Sequence, residues 1–162
     1  MSKVVLALGS NLGDRLGALR SAVNHLKARG WIPLKSSPVF ETPPFGYEEQ
    51  PRFLNACITM ECPLEDPLEM LREVKAVETQ MGRVQRFKNG PREIDVDILF
   101  VDQMVFNSPD LHIPHPGIQE RAFVLAPLNC IEPGWVHPSL NLSVSEMLDR
   151  VDKNGVIRIT NL

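Results

Sequence analysis

Two hydrophobic periods alternate along the chain. "KVVLALGS" (3–10) is a short apolar run ended by Gly9, the pattern of a buried strand. Residues 13–30, "GDRLGALRSAVNHLKARG", change to the helical period. Leu16, Leu19, Val23 and Leu26 form one stripe, Asp14 is placed to cap the first turn and Gly30 to end the last. "WIPLKSSPVFET" (31–42) is extended, and its two prolines predict an edge strand or an irregular one. "FLNACITMEC" (53–62) reads as a second clear strand. In "EDPLEMLREVKAVETQMG" (65–82), Asp66 caps a helix, Pro67 takes its first position and Glu69 completes the cap. Leu68, Leu71, Val74, Val77 and Met81 are expected to face the core. "REIDVDILFV" (92–101) is the third clear strand.

Strand, helix and strand thus occur twice, over 3–40 and 53–101. That order predicts an α+β fold, a ferredoxin-like sandwich of βαββαβ type. The halves show no self-similarity. Residues 103–162 are rich in Pro, Gly and His. They predict short helices at 117–126 and 143–151, packed as a C-terminal elaboration on the same sheet, so 1–162 reads as a single domain. A chain of 162 residues can bury a sizeable core. The net charge of −3 offers no bulk electrostatic case for nucleic acid. Cys57, Cys62 and Cys130 are odd in number and lack a metal-site spacing, which predicts free thiols in a reducing cytoplasm. The N-terminus lacks the features of a signal peptide, and no stretch approaches the ~20 apolar residues of a membrane span. A cytoplasmic monomer without membrane or nucleic-acid partners is the expectation.

Asp95 and Asp97 do not fit a plain strand. Strand side chains alternate, so the two carboxylates share a face while Ile94, Val96, Ile98 and Phe100 take the other. At ~6.5 Å and an effective dielectric near ~20 the acids repel by about 2–3 kcal/mol. Nearby arginines, a metal ion or both would offset that cost. An exposed strand face also carries acid pairs at times, and one or two carboxylates with phosphates and waters are the usual way of holding Mg²⁺. The cations Arg83, Arg86, Lys88 and Arg92 lie in "RVQRFKNGPR", just before the strand. Surface ion pairs alone would explain little. Acids that hold a metal beside arginines that clamp phosphate oxygens are the groups phosphoryl transfer needs.

Other stretches bear on a ligand. "GSNLGD" (9–14) has neither a Walker A nor a dinucleotide spacing, and reads as a tight turn or a backbone-lined pocket wall. "ETPPFGYEEQPRFLN" (41–55) is a loop with three prolines; Phe45 sits at its tip, and Phe53 and Asn55 open the strand that follows. Phe45 is either a plug on the core or a stacking platform held by stiff backbone. Thr42 and Asn55 are positioned to hydrogen-bond the edge of a flat heterocycle. His112 and His115 in "HIPHP" lack the further ligands of a zinc site; His115 and Arg121 suit anionic phosphates instead. Glu78 falls in the apolar stripe of the second helix, to accept bonds from a ligand or to pair with Lys75.

"LGSNLGD", "TPPFG…QPRFLNA", "VETQMGR", "GPREIDVDILF" and "IPHPGIQERAFVLAPL" together resemble the 6-hydroxymethyl-7,8-dihydropterin pyrophosphokinases of folate biosynthesis, across most of residues 4–128. The resemblance implies a ferredoxin-like fold, a single pyrophosphokinase domain, and transfer of the β,γ-pyrophosphoryl group of ATP to the pterin hydroxymethyl with release of AMP. It implies that Asp95 and Asp97 hold two Mg²⁺ ions and that Arg83 and Arg92 stabilise the transferred group. His115 and Arg121 would hold ATP phosphates, with Glu78 and Ile98 near the nucleotide. Phe45 and Phe123 would sandwich the pterin, Thr42 and Asn55 would meet its polar edge, and Pro43 and Phe53 would complete that pocket. Three positions depart from the family pattern: Asn89 stands where a tryptophan is common, Phe53 where a tyrosine is, and Pro116 where an aromatic is. A non-catalytic ferredoxin-like binding module and a γ-phosphoryl kinase remain as other classes. Residues 83–90, bracketed by Gly82 and Gly90 and poor in apolar anchors, are expected to form a lid that orders over triphosphate.

Overall fold

The computed structural model describes residues 1–162. Strand β1 (Ser2–Ser10) is hydrogen-bonded on one side to β4 (Phe53–Cys62) and on the other to β5 (Asp95–Val101), both antiparallel to it. The 31–42 stretch divides into β2 (Ile32–Ser36) and β3 (Pro38–Thr42), and both halves pair with β4. The division falls at Ser37, just before Pro38. Ser37 spans the gap itself: its N–H donates to the Cys57 carbonyl, and its hydroxyl accepts from the Cys57 N–H at 2.8 Å.

Helices α1 (Arg15–Ala28) and α2 (Pro67–Gln80) cover one face, capped by Asp14 and Asp66 as expected. Their core joins Leu19, Leu26, Val74 and Val77 to Leu6, Ile58 and Val96 of the sheet. The stripe of α2 is rotated from its expected position. Met70 is fully buried, whereas Leu68 in the first turn is exposed, so the buried row runs 70, 74, 77.

The opposite face carries α3 (Ala122–Ile131) and α4 (Val144–Asp149) over a second core that includes Val5, Cys57, Leu99 and Leu125. Gly117, in a left-handed conformation, opens a 3₁₀ turn at Ile118–Glu120, so α3 starts later than the expected 117–126 helix. Phe100 belongs to this second core, not to the Ile94–Ile98 face. Val5 pairs with Phe100 but Leu6 with Ile98, so Leu99 is an inserted residue and every side chain beyond it changes sides.

The C-terminal segment also holds strands that the sequence pattern does not announce. Besides the small ribbon β6 (Phe106–Asn107) and β7 (His112–Ile113), β8 (Ile157–Asn161) pairs with β3, giving the order β5-β1-β4-β3-β8. All five β8 residues are exposed, which removes the alternation by which a strand is recognised. No helix is long and apolar enough to cross a membrane. Cys57, Cys62 and Cys130 are unpaired, and burial raises the thiol pKa of Cys57.

Candidate active site

Sheet register builds a hollow at one end of β1. Ala7 stands opposite Asp97, and Gly9 stands between Asp95 on β5 and Asn55 on β4. A Cβ on Gly9 would lie 2.8 Å from the Asn55 amide oxygen, so a side chain there would displace the Asn55 amide. These small residues floor a pocket that opens to solvent. Thr42, Pro43, Phe45, Phe53, Asn55, Arg92, Asp95, Asp97 and Phe123 line it, so residues far apart in the chain share one space.

The two carboxylates are not equivalent. Asp95 lies between guanidiniums, 3.3 Å from Arg92 Nη1 and 3.7 Å from Arg83 Nη2. The Nε–H of each arginine is buried without a partner. Asp97 has no such cation against it. Burial, then the charges of Asp95 and Glu78, push its carboxyl up to about 7. The arginines therefore neutralise one acid and leave the other in want of a positive charge. Two adjacent carboxylates, one of them unpaired, match the oxygen donors that a hard divalent cation takes.

A pH dependence follows. The folded pKa of Asp97 lies above its ordinary value of 3.8, so the unfolded chain gives up that proton first as pH rises. Ligand-free protein in chelator should therefore lose stability between about pH 4 and pH 7, and Asp97→Asn should flatten that slope. Urea unfolding at pH 5, 6, 7 and 8 measures it. Parallel pH curves for the parent and the variant would refute the assigned burial of this charge.

The aromatic wall is equally defined. The Phe45 and Phe123 rings are 5.8 Å apart and inclined at 47°. The Arg121 guanidinium lies 5.2 Å from the first and 5.8 Å from the second. A flat heterocycle between two rings needs about 7 Å, twice a van der Waals contact, so the pair must part slightly to admit one. Asn55 Nδ2 donates to Thr42 Oγ1 at 2.6 Å, and Thr42 is fully buried.

Three expected site residues lie elsewhere, along or behind β5, the end strand of the sheet. Glu78 on α2 accepts from the Val96 N–H at 2.8 Å and stands 3.3 Å from Lys75. Burial raises its pKa, and the Val96 N–H and Lys75 oppose that rise. The His115 N–H donates to the Leu99 carbonyl at 2.9 Å, and the ring lines a separate groove with its Nδ1 unpartnered. Burial lowers its pKa, assisted by Arg121. Ile98, between these attachment points, packs in the first core.

Sequence reading misses a connector. Asn11 is 2% exposed; its Oδ1 accepts from the Arg92 N–H at 2.9 Å and its Nδ2 donates to Gln50 Oε1 at 2.8 Å. Gln50 in turn donates to the Asn89 carbonyl at 2.7 Å. Tyr47 meets Phe87 edge-on with ring centroids 4.9 Å apart, and Arg86 makes a bidentate pair with Glu93. The 83–90 segment thus has partners within the chain that its composition does not reveal. The asparagine of "GSNLGD" is the one local signal, because a buried amide must find hydrogen bonds.

A family model described as 7,8-dihydro-6-hydroxymethylpterin-pyrophosphokinase (HPPK) matches residues 5–133. The chain belongs to this family. Against one HPPK relative, the 2-amino-4-hydroxy-6-hydroxymethyldihydropteridine pyrophosphokinase of Aquifex aeolicus, it is 42% identical over 85% of both chains. Against the protein of the same name from Methylorubrum extorquens it is 37% identical over 98% of this chain and 99% of that one. It is 40% identical to the folic acid synthesis protein fol1 of Schizosaccharomyces pombe over 93% of this chain, yet spans only 21% of that longer protein. A crystal structure of Plasmodium falciparum HPPK-DHPS wild type with SDX-DHP superposes with a TM-score of 0.73 at 18% identity, covering all of this chain and 49% of that one. At that identity the likeness is one of fold.

Proposed function

We propose that this chain transfers the pyrophosphoryl group of ATP to the hydroxymethyl group of 6-hydroxymethyl-7,8-dihydropterin, giving the pterin diphosphate and AMP. The observation that carries the reading is one cavity with two kinds of wall. Asp97, in want of a cation, and Asp95 between two arginines form one; the Phe45–Phe123 pair and the Thr42–Asn55 edge form the other. Phosphate chemistry and a slot for a flat acceptor thus adjoin.

Asp95 and Asp97 would hold Mg²⁺, two ions by family resemblance, which when bound supplies charge neutralisation for the phosphates. The unpartnered Nε–H groups of Arg83 and Arg92 are donors in reserve for phosphate oxygens. ATP is read as lying beside the outer edge of β5, near Glu78 and Ile98 and within reach of His115 and Arg121. The pterin enters between Phe45 and Phe123, its polar edge on Thr42 and Asn55, with Pro43 and Phe53 closing the pocket. Stacked pterin would orient the hydroxymethyl oxygen toward the carboxylates for in-line attack.

We also read the fold as a ferredoxin-like sandwich making one pyrophosphokinase domain. The antiparallel order of β5, β1, β4 and β3, with α1 and α2 on one face, supports it.

The deciding experiment identifies the nucleotide product. AMP release that requires both pterin and Mg²⁺ is expected. ADP would indicate γ-phosphoryl transfer, and no pterin dependence would point to a binding module.

Residues 83–90 are read as a lid over ATP. Val84 and Phe87 are more than half exposed, so the Tyr47 contact and the Arg86–Glu93 pair hold the segment weakly. Amide exchange across 83–90 should slow by at least about tenfold when Mg²⁺, a non-hydrolysable ATP analogue and pterin are added together. Strong protection already present in the free protein would make it a rigid loop.

A further inference from the structure

The family match ends at residue 133, and β8 lies beyond it. This strand pairs with β3, which ends at Thr42, directly before the Pro43–Phe45 arm that carries one ring of the clamp. The turn leading into β8 reaches the same corner. Arg52 Nη2 donates to the Gly155 carbonyl. Gly155 has φ +78°, and a Cβ there would stand 3.3 Å from Pro43 Cδ. Asp152, Asn154 and Val156 share a groove with Phe45 and Phe123 on the side of the clamp away from Asp97.

The two ends of the 43–51 loop are tied to this turn. Glu41 Oε1 is 3.4 Å from Arg52 Nε, and Glu41 Oε2 is 3.0 Å from Arg15 Nη1. Arg15 also donates to the Arg52 carbonyl at 3.0 Å. One ion network therefore fixes both loop ends, and Arg52 extends it to the C-terminal turn. Phe45 itself is 48% exposed, with the Phe123 ring and the Arg121 guanidinium as its neighbours.

We propose that the C-terminal turn 152–156 positions the Pro43–Phe45 arm of the aromatic clamp, with Arg52 and Gly155 as the positioning residues, and so sets affinity for the pterin. The proposal rests on reading the cavity as the pterin site. The clamp rings must part to admit a ring, and a backstop behind Pro43 limits how far the arm retreats. A loop held near its bound position loses less conformational freedom on binding. The effect falls on one substrate only, because β8 and β5, the edge beside which ATP is read, are opposite ends of the sheet.

The test measures binding of the full-length chain by calorimetry, with dihydropterin titrated in the presence of Mg²⁺ and a non-hydrolysable ATP analogue, and with the analogue titrated alone. Arg52→Ala and Gly155→Ala should each weaken pterin binding by about three- to tenfold and leave analogue binding within about twofold. Arg52→Lys, which keeps one donor, should recover part of the loss. Lys153→Ala, on the same turn, should change neither affinity. Thermal unfolding confirms that titrations are made on folded protein. Unchanged pterin affinity in both variants overturns the proposal, as does an equal loss for both ligands, which would mark general damage. A parent that binds pterin but releases no AMP leaves the proposal testable and overturns the reaction alone. A parent that does not bind pterin overturns both.

Discussion

Asp97→Ala should lower pterin- and Mg²⁺-dependent AMP release by about 10³-fold or more, while the ligand-free protein becomes more stable at pH 8. The two effects have one cause. The carboxylate sits where burial and two neighbouring acids oppose its charge, so folding is easier without it. Asp95 has its arginines; Asp97 has none, and its charge is retained against the interest of stability. That is the pattern of a group kept for a ligand. Steady-state turnover, with urea unfolding in chelator at pH 8, measures both sides. A variant that turns over within about tenfold of the parent would remove Asp97 from the reaction. A variant that is inactive and also less stable would give Asp97 a structural role instead.

Phe123→Ala should weaken dihydropterin binding by about 5- to 150-fold, the equivalent of about 1–3 kcal/mol for one lost stacking face. Affinity for an ATP analogue should stay within about twofold, since Phe123 lies on the clamp wall and not along β5. Phe123 only borders the second core, where Val124, Leu125 and Leu128 of α3 are buried, so the loss of the ring should not unfold α3. Calorimetric titration of each ligand separates the outcomes. Equal weakening of both would show that the ring supports the site as a whole and does not stack on one substrate.

Local sequence determined much of this molecule. β1, β4 and β5 are each specified by short apolar or alternating runs and α1 and α2 by a period of 3.6, within eight to eighteen residues, and the N-caps Asp14 and Asp66 lie at the expected positions. The Asp95/Asp97 pair was conspicuous because a strand has no reason of its own to hold two like charges on one face. What the chain alone did not determine are features created between distant segments. The bulge at Leu99 moves Phe100 to the other core because β1 imposes a register on β5. β8 has no buried face, so only its pairing with β3 makes it a strand. The inequality of the acids depends on where Arg83 and Arg92 come to rest. The Asn11–Gln50–Asn89 connection joins three loops separated by about forty residues at each step. Side-chain periodicity reports what a residue's near neighbours in sequence require. Hydrogen bonds, desolvation and charge pairing across the sheet depend on distances that exist only once the two cores have closed on it.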